Sequence, residues 1–157
     1  MDTRKQFTIT REFAAPRAAV WRAWTDPAIA AQWWHPHEVT TPPESVRIDL
    51  RVGGTYQYLM VAPDGSEFPT GGQYLEVDEP SRLRFSWADP GDTVDEAMLI
   101  TIDLVELDGD RCEMTFHLQG VDEDRVSEQS VSQGWAEAFE ELDDALASAA
   151  TGEAVPR

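Results

Sequence analysis

Residues Arg125 to Ala149 read RVSEQSVSQGWAEAFEELDDALASA. Val131, Trp135, Ala138, Leu142 and Ala145 recur at spacings of three and four, and Phe139 and Leu146 widen the stripe. That period predicts one long helix with a single apolar face. Asp122 to Asp124 favour its start by complementing the positive end of the helix dipole. Gly134 sits inside it at a cost of about 1 kcal/mol relative to Ala, and serves either close approach to a partner surface or a wider cavity mouth. Gly152 is the expected stop, and 151–157 reads as a frayed tail behind a single domain over 1–150.

A helix with one dry face needs a surface to cover, and the preceding residues supply it. Phe7 to Phe13 alternates apolar and polar side chains, as a half-buried strand does. Pro16 suits the first position of a helix carrying Val20, Trp21 and Trp24. Asp26 then caps a second helix with Pro27 at its first position, carrying Ile29, Trp33 and Trp34 and ending near Pro36. Beyond Pro42-Pro43 strands follow one another. Val46, Ile48 and Leu50 alternate with charges, and Gly53-Gly54 marks a tight turn. Tyr56, Tyr58 and Met60 share one strand face, and Pro63-Asp64-Gly65 is a turn. A strand runs near Gly72 to Val77, with Gly71-Gly72 read as a turn or bulge. Leu83, Phe85 and Trp87 alternate on the next, before a polar loop over Ala88 to Asp95. Ile100 and Ile102 share a face of the following strand. Asp108-Gly109-Asp110 turns it into a last one carrying Cys112, Met114, Phe116 and Leu118. The order is β-α-α-β-β-β-β-β-β-α. We therefore expect an α+β fold in which a curved antiparallel sheet of six or seven strands grips the C-terminal helix. At 1.5 Å per residue that helix spans about 37 Å, enough to run the length of the sheet.

Composition narrows the function. The chain has 157 residues with a net charge of −18, from 30 acidic and 12 basic side chains. Such a field repels phosphate backbones and anionic lipid, so nucleic acid and membranes are not expected partners. No apolar run approaches a membrane span, and the N-terminus lacks a secretory h-region. One cysteine, Cys112, rules out an intrachain disulfide, and a reduced, cytoplasmic setting is the simplest expectation.

The residues that usually carry chemistry form no recognisable site. His35-Pro36-His37-Glu38 has no third ligand at a metal-binding spacing, so no metal is expected, and the two imidazoles are expected to be exposed at a helix end. By parity His117 faces water, and Cys112 reads as a small buried hydrophobe. Glu140-Glu141 and Asp143-Asp144 fall on the helix's polar face, as solvated surface. No phosphate loop, dinucleotide fingerprint or Ser–His–Asp set is present, and no cofactor is expected.

Several stretches, taken in order, resemble a known family: Phe13-Ala-Ala-Pro16 with Val20 to Pro27, Gln32-Trp-Trp-His-Pro36, Asp49 to Gly54 with Tyr56, Pro80 to Phe85 with Trp87, and Gly134-Trp135 with Leu142. The family is similar to the C-terminal domain of the activator of heat-shock protein 90 ATPase. It lies within the START-like, SRPBCC superfamily, whose helix-grip fold is that of the birch-pollen allergen. The superfamily includes carriers of hydrophobic ligands, polyketide cyclases and hormone receptors. The resemblance thus implies a small hydrophobic molecule held between the C-terminal helix and the sheet. Candidate cavity residues are Trp33, Tyr56, Tyr58, Met60, Phe85, Trp87, Ile100, Ile102, Met114, Phe116, Trp135, Phe139 and Leu142, most of which read first as plain core. Two alternatives stand beside the binding role. One is a chaperone-activator-like protein-interaction module, set against the separate N-terminal domain of the eukaryotic activator, for which this chain has no room. The other is a cyclase or isomerase using Tyr56 or Tyr58 as general acid, although no convergent acid–base pair is visible. Partners in these readings are a small hydrophobic molecule, another protein or a second copy of the chain.

Overall fold

A strand that is wet on one side and dry on the other must alternate along its length. The computed structural model describes residues 5–88, 97–108, 110–121 and 127–150, and its burial follows that rule. Cys112, Met114, Phe116 and Leu118 are fully buried, while His117 between them hydrogen-bonds Thr8 and Gln6 on the outer face. The elements are β1 (Lys5–Phe13), α1 (Arg17–Thr25), α2 (Pro27–Ala30), a 3-10 turn (Pro43–Ser45), β2 (Arg47–Ile48), β3 (Thr55–Val61), β4 (Glu67–Asp78), β5 (Arg82–Trp87), β6 (Met98–Asp108), β7 (Arg111–Val121) and α3 (Glu128–Ala150). The seven strands form one sheet in the order β1-β7-β6-β5-β4-β3-β2. Every pairing is antiparallel, and the first strand closes on the last, with Ile9 opposite Phe116. The expected α+β helix-grip architecture is the one observed.

Four local expectations are corrected. The second helix stops at Ala30 instead of running to Pro36. Beyond it the chain tightens into turns, with the Trp33 and Trp34 amides both donating to the Ala30 carbonyl. Pro36 bars helical geometry at the residue before it, and the Trp33 indole folds back to donate to the Ala23 carbonyl of α1 at 2.9 Å. The strand expected through Leu50 is only Arg47–Ile48. It ends because the chain already turns at Asp49, whose carbonyl accepts from the Arg51 amide. A Cβ on Gly54 would lie 2.1 Å from that same carbonyl oxygen. Gly71-Gly72 lies inside β4, where a Cβ on Gly72 would come within 1.9 Å of the Ser86 carbonyl oxygen on β5. The pair allows close strand approach and makes no turn. Finally, α3 starts at Glu128, three residues later than expected, because the Ser127 hydroxyl accepts from the Ser130 amide at 3.0 Å and caps it. The loop at 89–96, Gly109, the acidic run 122–124 with Arg125, and the tail 151–157 with Gly152 lie outside the described residues.

The core lies where α3 meets the sheet. Val131, Trp135, Ala138, Phe139, Leu142, Ala145 and Leu146 are buried along one side of the helix. Phe139 meets the Phe116 ring edge-on at 5.1 Å, and Trp24 of α1 stacks on Phe116 at 6.3 Å. Each such large side chain contributes about 1.5–3 kcal/mol on burial, with aromatic contacts adding about 0.5–1.5 kcal/mol. Two polar tethers fasten the helix from outside. Arg11 of β1 pairs with Asp143, and His37 bonds Glu140 at 2.7 Å and Glu141 at 3.3 Å. Three of the four carboxylates expected to be merely solvated, Glu140, Glu141 and Asp143, thus make contacts between α3 and its neighbours. Among the described residues no helix is long and apolar enough to cross a membrane.

Candidate functional site

The packing is not solid throughout. A cavity of about 240 Å³ lies beside the N-terminal half of α3. Its walls come from three places. Tyr58 and Met60, two apart on β3, share a face, and Trp87 closes the end of β5. Ser130, Val131, Gly134, Trp135 and Ala138 supply one side of α3, at the spacings that bring helical residues onto a common face. Trp34, His35 and Pro36 form the third wall, held there by the turns that replace the end of the second helix.

Two groups give this apolar space its polarity. The Tyr58 hydroxyl accepts from the Trp87 indole N–H at 2.9 Å. Burial raises the Tyr58 pKa above that of a free phenol, so it keeps its proton. His35 Nδ1 lies 3.1 Å from the Thr41 hydroxyl, which itself donates to the Trp34 carbonyl at 3.0 Å. Burial lowers the His35 pKa, more than the nearby Glu141 charge raises it, and His37 adds to the lowering. None of the described residues lining the space is Asp, Glu, Lys or Arg. Among the described residues, no cluster of His, Cys, Asp and Glu is placed to hold a metal ion.

Of the thirteen residues expected to line a cavity, the structure brings Tyr58, Met60, Trp87 and Trp135 to this one. The other nine do not line it. Trp33 is wholly buried against Trp24. Tyr56 donates its hydroxyl to the Ser86 carbonyl at 2.6 Å and is spent there. Phe85, Ile100, Ile102, Met114, Phe116, Phe139 and Leu142 are core. Sequence reasoning missed Trp34, His35, Pro36, Ser130, Val131, Gly134 and Ala138 as lining. Val131 and Ala138 were legible as the helix's covering face, and Gly134 as a mouth-widening residue. Trp34 was hidden by its neighbour, because adjacent side chains leave a turn in opposite directions and the turn geometry chooses between them. His35, expected to be exposed, is half-buried in the wall; His37 is exposed.

The family described as "Activator of Hsp90 ATPase homolog 1-like protein" matches residues 14–147. This chain belongs to that family. Similar structures include a protein from Chromobacterium violaceum, 26% identical over 90% of this chain and 97% of that one, with a TM-score of 0.79. A protein from Arthrobacter aurescens is 30% identical, covering 91% of this chain and 86% of that one, with a TM-score of 0.77. An HSP90 activator from Plasmodium falciparum, at 18% identity, 74% coverage of each chain and a TM-score of 0.58, shares the fold alone. Among curated proteins, none matches this chain. The family match spans all three walls of the cavity, from the turns after α2 to α3. In this START-like fold the cavity lies between the long helix and the sheet.

Proposed function

We propose that this protein binds a small, largely apolar molecule in the cavity between α3, the Trp34–Pro36 turns and the β3–β5 face. The observation that carries the reading is Gly134. A glycine inside a helix costs about 1 kcal/mol relative to alanine. At Gly134 an added Cβ would meet nothing within 4 Å. The glycine therefore does not serve close packing; its missing side chain is part of the empty volume. A space of about 240 Å³ sits just below the usual range of ligand pockets. At about 30 Å³ per water-sized group it admits on the order of eight to ten non-hydrogen atoms. Release of water from its apolar walls supplies affinity, at about 25 cal/mol per Å² before association costs.

Native mass spectrometry of freshly purified protein tests this. We expect a bound species of the order of 100–200 Da, the mass of a molecule this cavity would hold, absent from a Gly134→Phe variant that fills the space. Protein that carries no such species, and takes up no small aromatic hydrocarbon when titrated, would overturn the reading.

A further inference from the structure

One atom in the cavity wall has its hydrogen-bond role decided by its neighbours. Thr41 is 4% exposed and has a single hydroxyl proton, which it donates to the Trp34 carbonyl at 3.0 Å. Its oxygen therefore meets His35 Nδ1, 3.1 Å away, as an acceptor. Nδ1 must carry a hydrogen. A neutral imidazole with Nδ1–H leaves Nε2 as a bare lone pair. Among the described residues Nε2 has no hydrogen-bond partner, and it is not sealed in the core. It sits on the ring edge away from Thr41, in a side chain that lines the cavity. The unpaired indole N–H groups of Trp34 and Trp135 are sealed from solvent, so they offer a ligand nothing.

Resting on the binding role proposed above, we infer that His35 Nε2 is the ligand's polar anchor, and that the ligand class is a neutral alcohol or phenol whose hydroxyl donates to it. Apart from the Tyr58 hydroxyl, which already accepts from the Trp87 indole, and Ser130, the rest of the described wall suits the apolar body of such a molecule. A carboxylate has no proton to give, and no Lys or Arg among the described lining residues compensates its charge. The net charge of −18 opposes its approach as well.

Intrinsic fluorescence provides the readout, because Trp34, Trp87 and Trp135 line the space. The probes are 4-propylphenol, propylbenzene and 4-propylbenzoate, matched in their apolar bodies. We expect 4-propylphenol to bind about three- to tenfold tighter than propylbenzene, the worth of one hydrogen bond, with 4-propylbenzoate weakest. His35→Phe should erase the preference for the phenol while propylbenzene still binds. Thr41→Val, which frees the ring to change tautomer, should reduce the preference, and decides the matter if His35→Phe does not fold. Equal binding of the phenol and the hydrocarbon, both blocked by Gly134→Phe, would overturn the His35 anchor and leave the cavity reading standing. A phenol preference that survives His35→Phe, or a tighter benzoate, would overturn the anchor too. Failure of all three probes to bind the wild-type chain would overturn the anchor, and the cavity reading with it where the purified protein also carries no bound species.

Discussion

Two histidines two residues apart illustrate how environment, not residue type, sets chemistry. The hydrogen bond from His37 to Glu140 raises its pKa, and the bond to Glu141 and the charges of Glu140 and Glu137 add to that effect. Burial lowers the pKa of His35. The linkage signs are opposite. The stabilisation from His37 is fully present below its unfolded pKa, about 6.5, and is lost as pH rises through its raised folded value. His35 is neutral in the fold, so the unfolded chain binds the extra proton, and stability falls as pH drops from about 6.5 toward its lowered value. Imidazole proton NMR should therefore place the His35 and His37 midpoints on either side of the ordinary value. His37→Gln should destabilise the fold at pH 6 and much less at pH 9, in urea titrations compared with wild type. Coincident midpoints would contradict the geometry described for the Trp34–His37 turns.

At the scale of the element, α3 has two tasks that pull apart. Its stripe of Trp135, Phe139 and Leu142 anchors the sheet, and its Gly134 leaves a hole beside them. Replacing Gly134 with Ala removes the propensity penalty, and the new Cβ meets no neighbour within 4 Å. We expect Gly134→Ala to stabilise the protein by about 1 kcal/mol, or about 2–4 °C in Tm, while reducing the volume open to a ligand. Differential scanning calorimetry together with probe titration checks both halves. A loss of stability would mean that the helix depends on the glycine for its packing.

For the whole molecule the governing quantity is charge. Arg11, Arg51, Arg82, Arg84 and Arg111 all pair with carboxylates. With 12 basic side chains against 30 acidic ones, the acids remain 18 in excess. Pairs of this exposed kind are worth about 0–1 kcal/mol each, so net repulsion outweighs them. Raising sodium chloride from about 20 mM to about 500 mM, which shortens the screening length several-fold, should raise Tm. A fall in Tm over that range would show that the pairs contribute more than the repulsion costs.

Periodicity determined much of this protein by itself. Alternation at Cys112 to Leu118 and the three-and-four spacing from Val131 to Leu146 identify a one-sided sheet and the helix that covers it. The dry face of an element is a local property, because backbone geometry decides which side chains point together. The early stops at Ala30 and Ile48 were not legible, since they depend on where the Trp33 indole and the Asp49 carbonyl find partners. Neither was the site. Tyr56 and Tyr58 look alike along β3, yet one hydroxyl is consumed by Ser86 and the other borders empty space. Periodicity says which faces are dry but not how far apart opposing dry faces stand. That separation is set by the final packing of α3 on the sheet, which made Gly134 a gap, while the turns after α2 made His35 a wall.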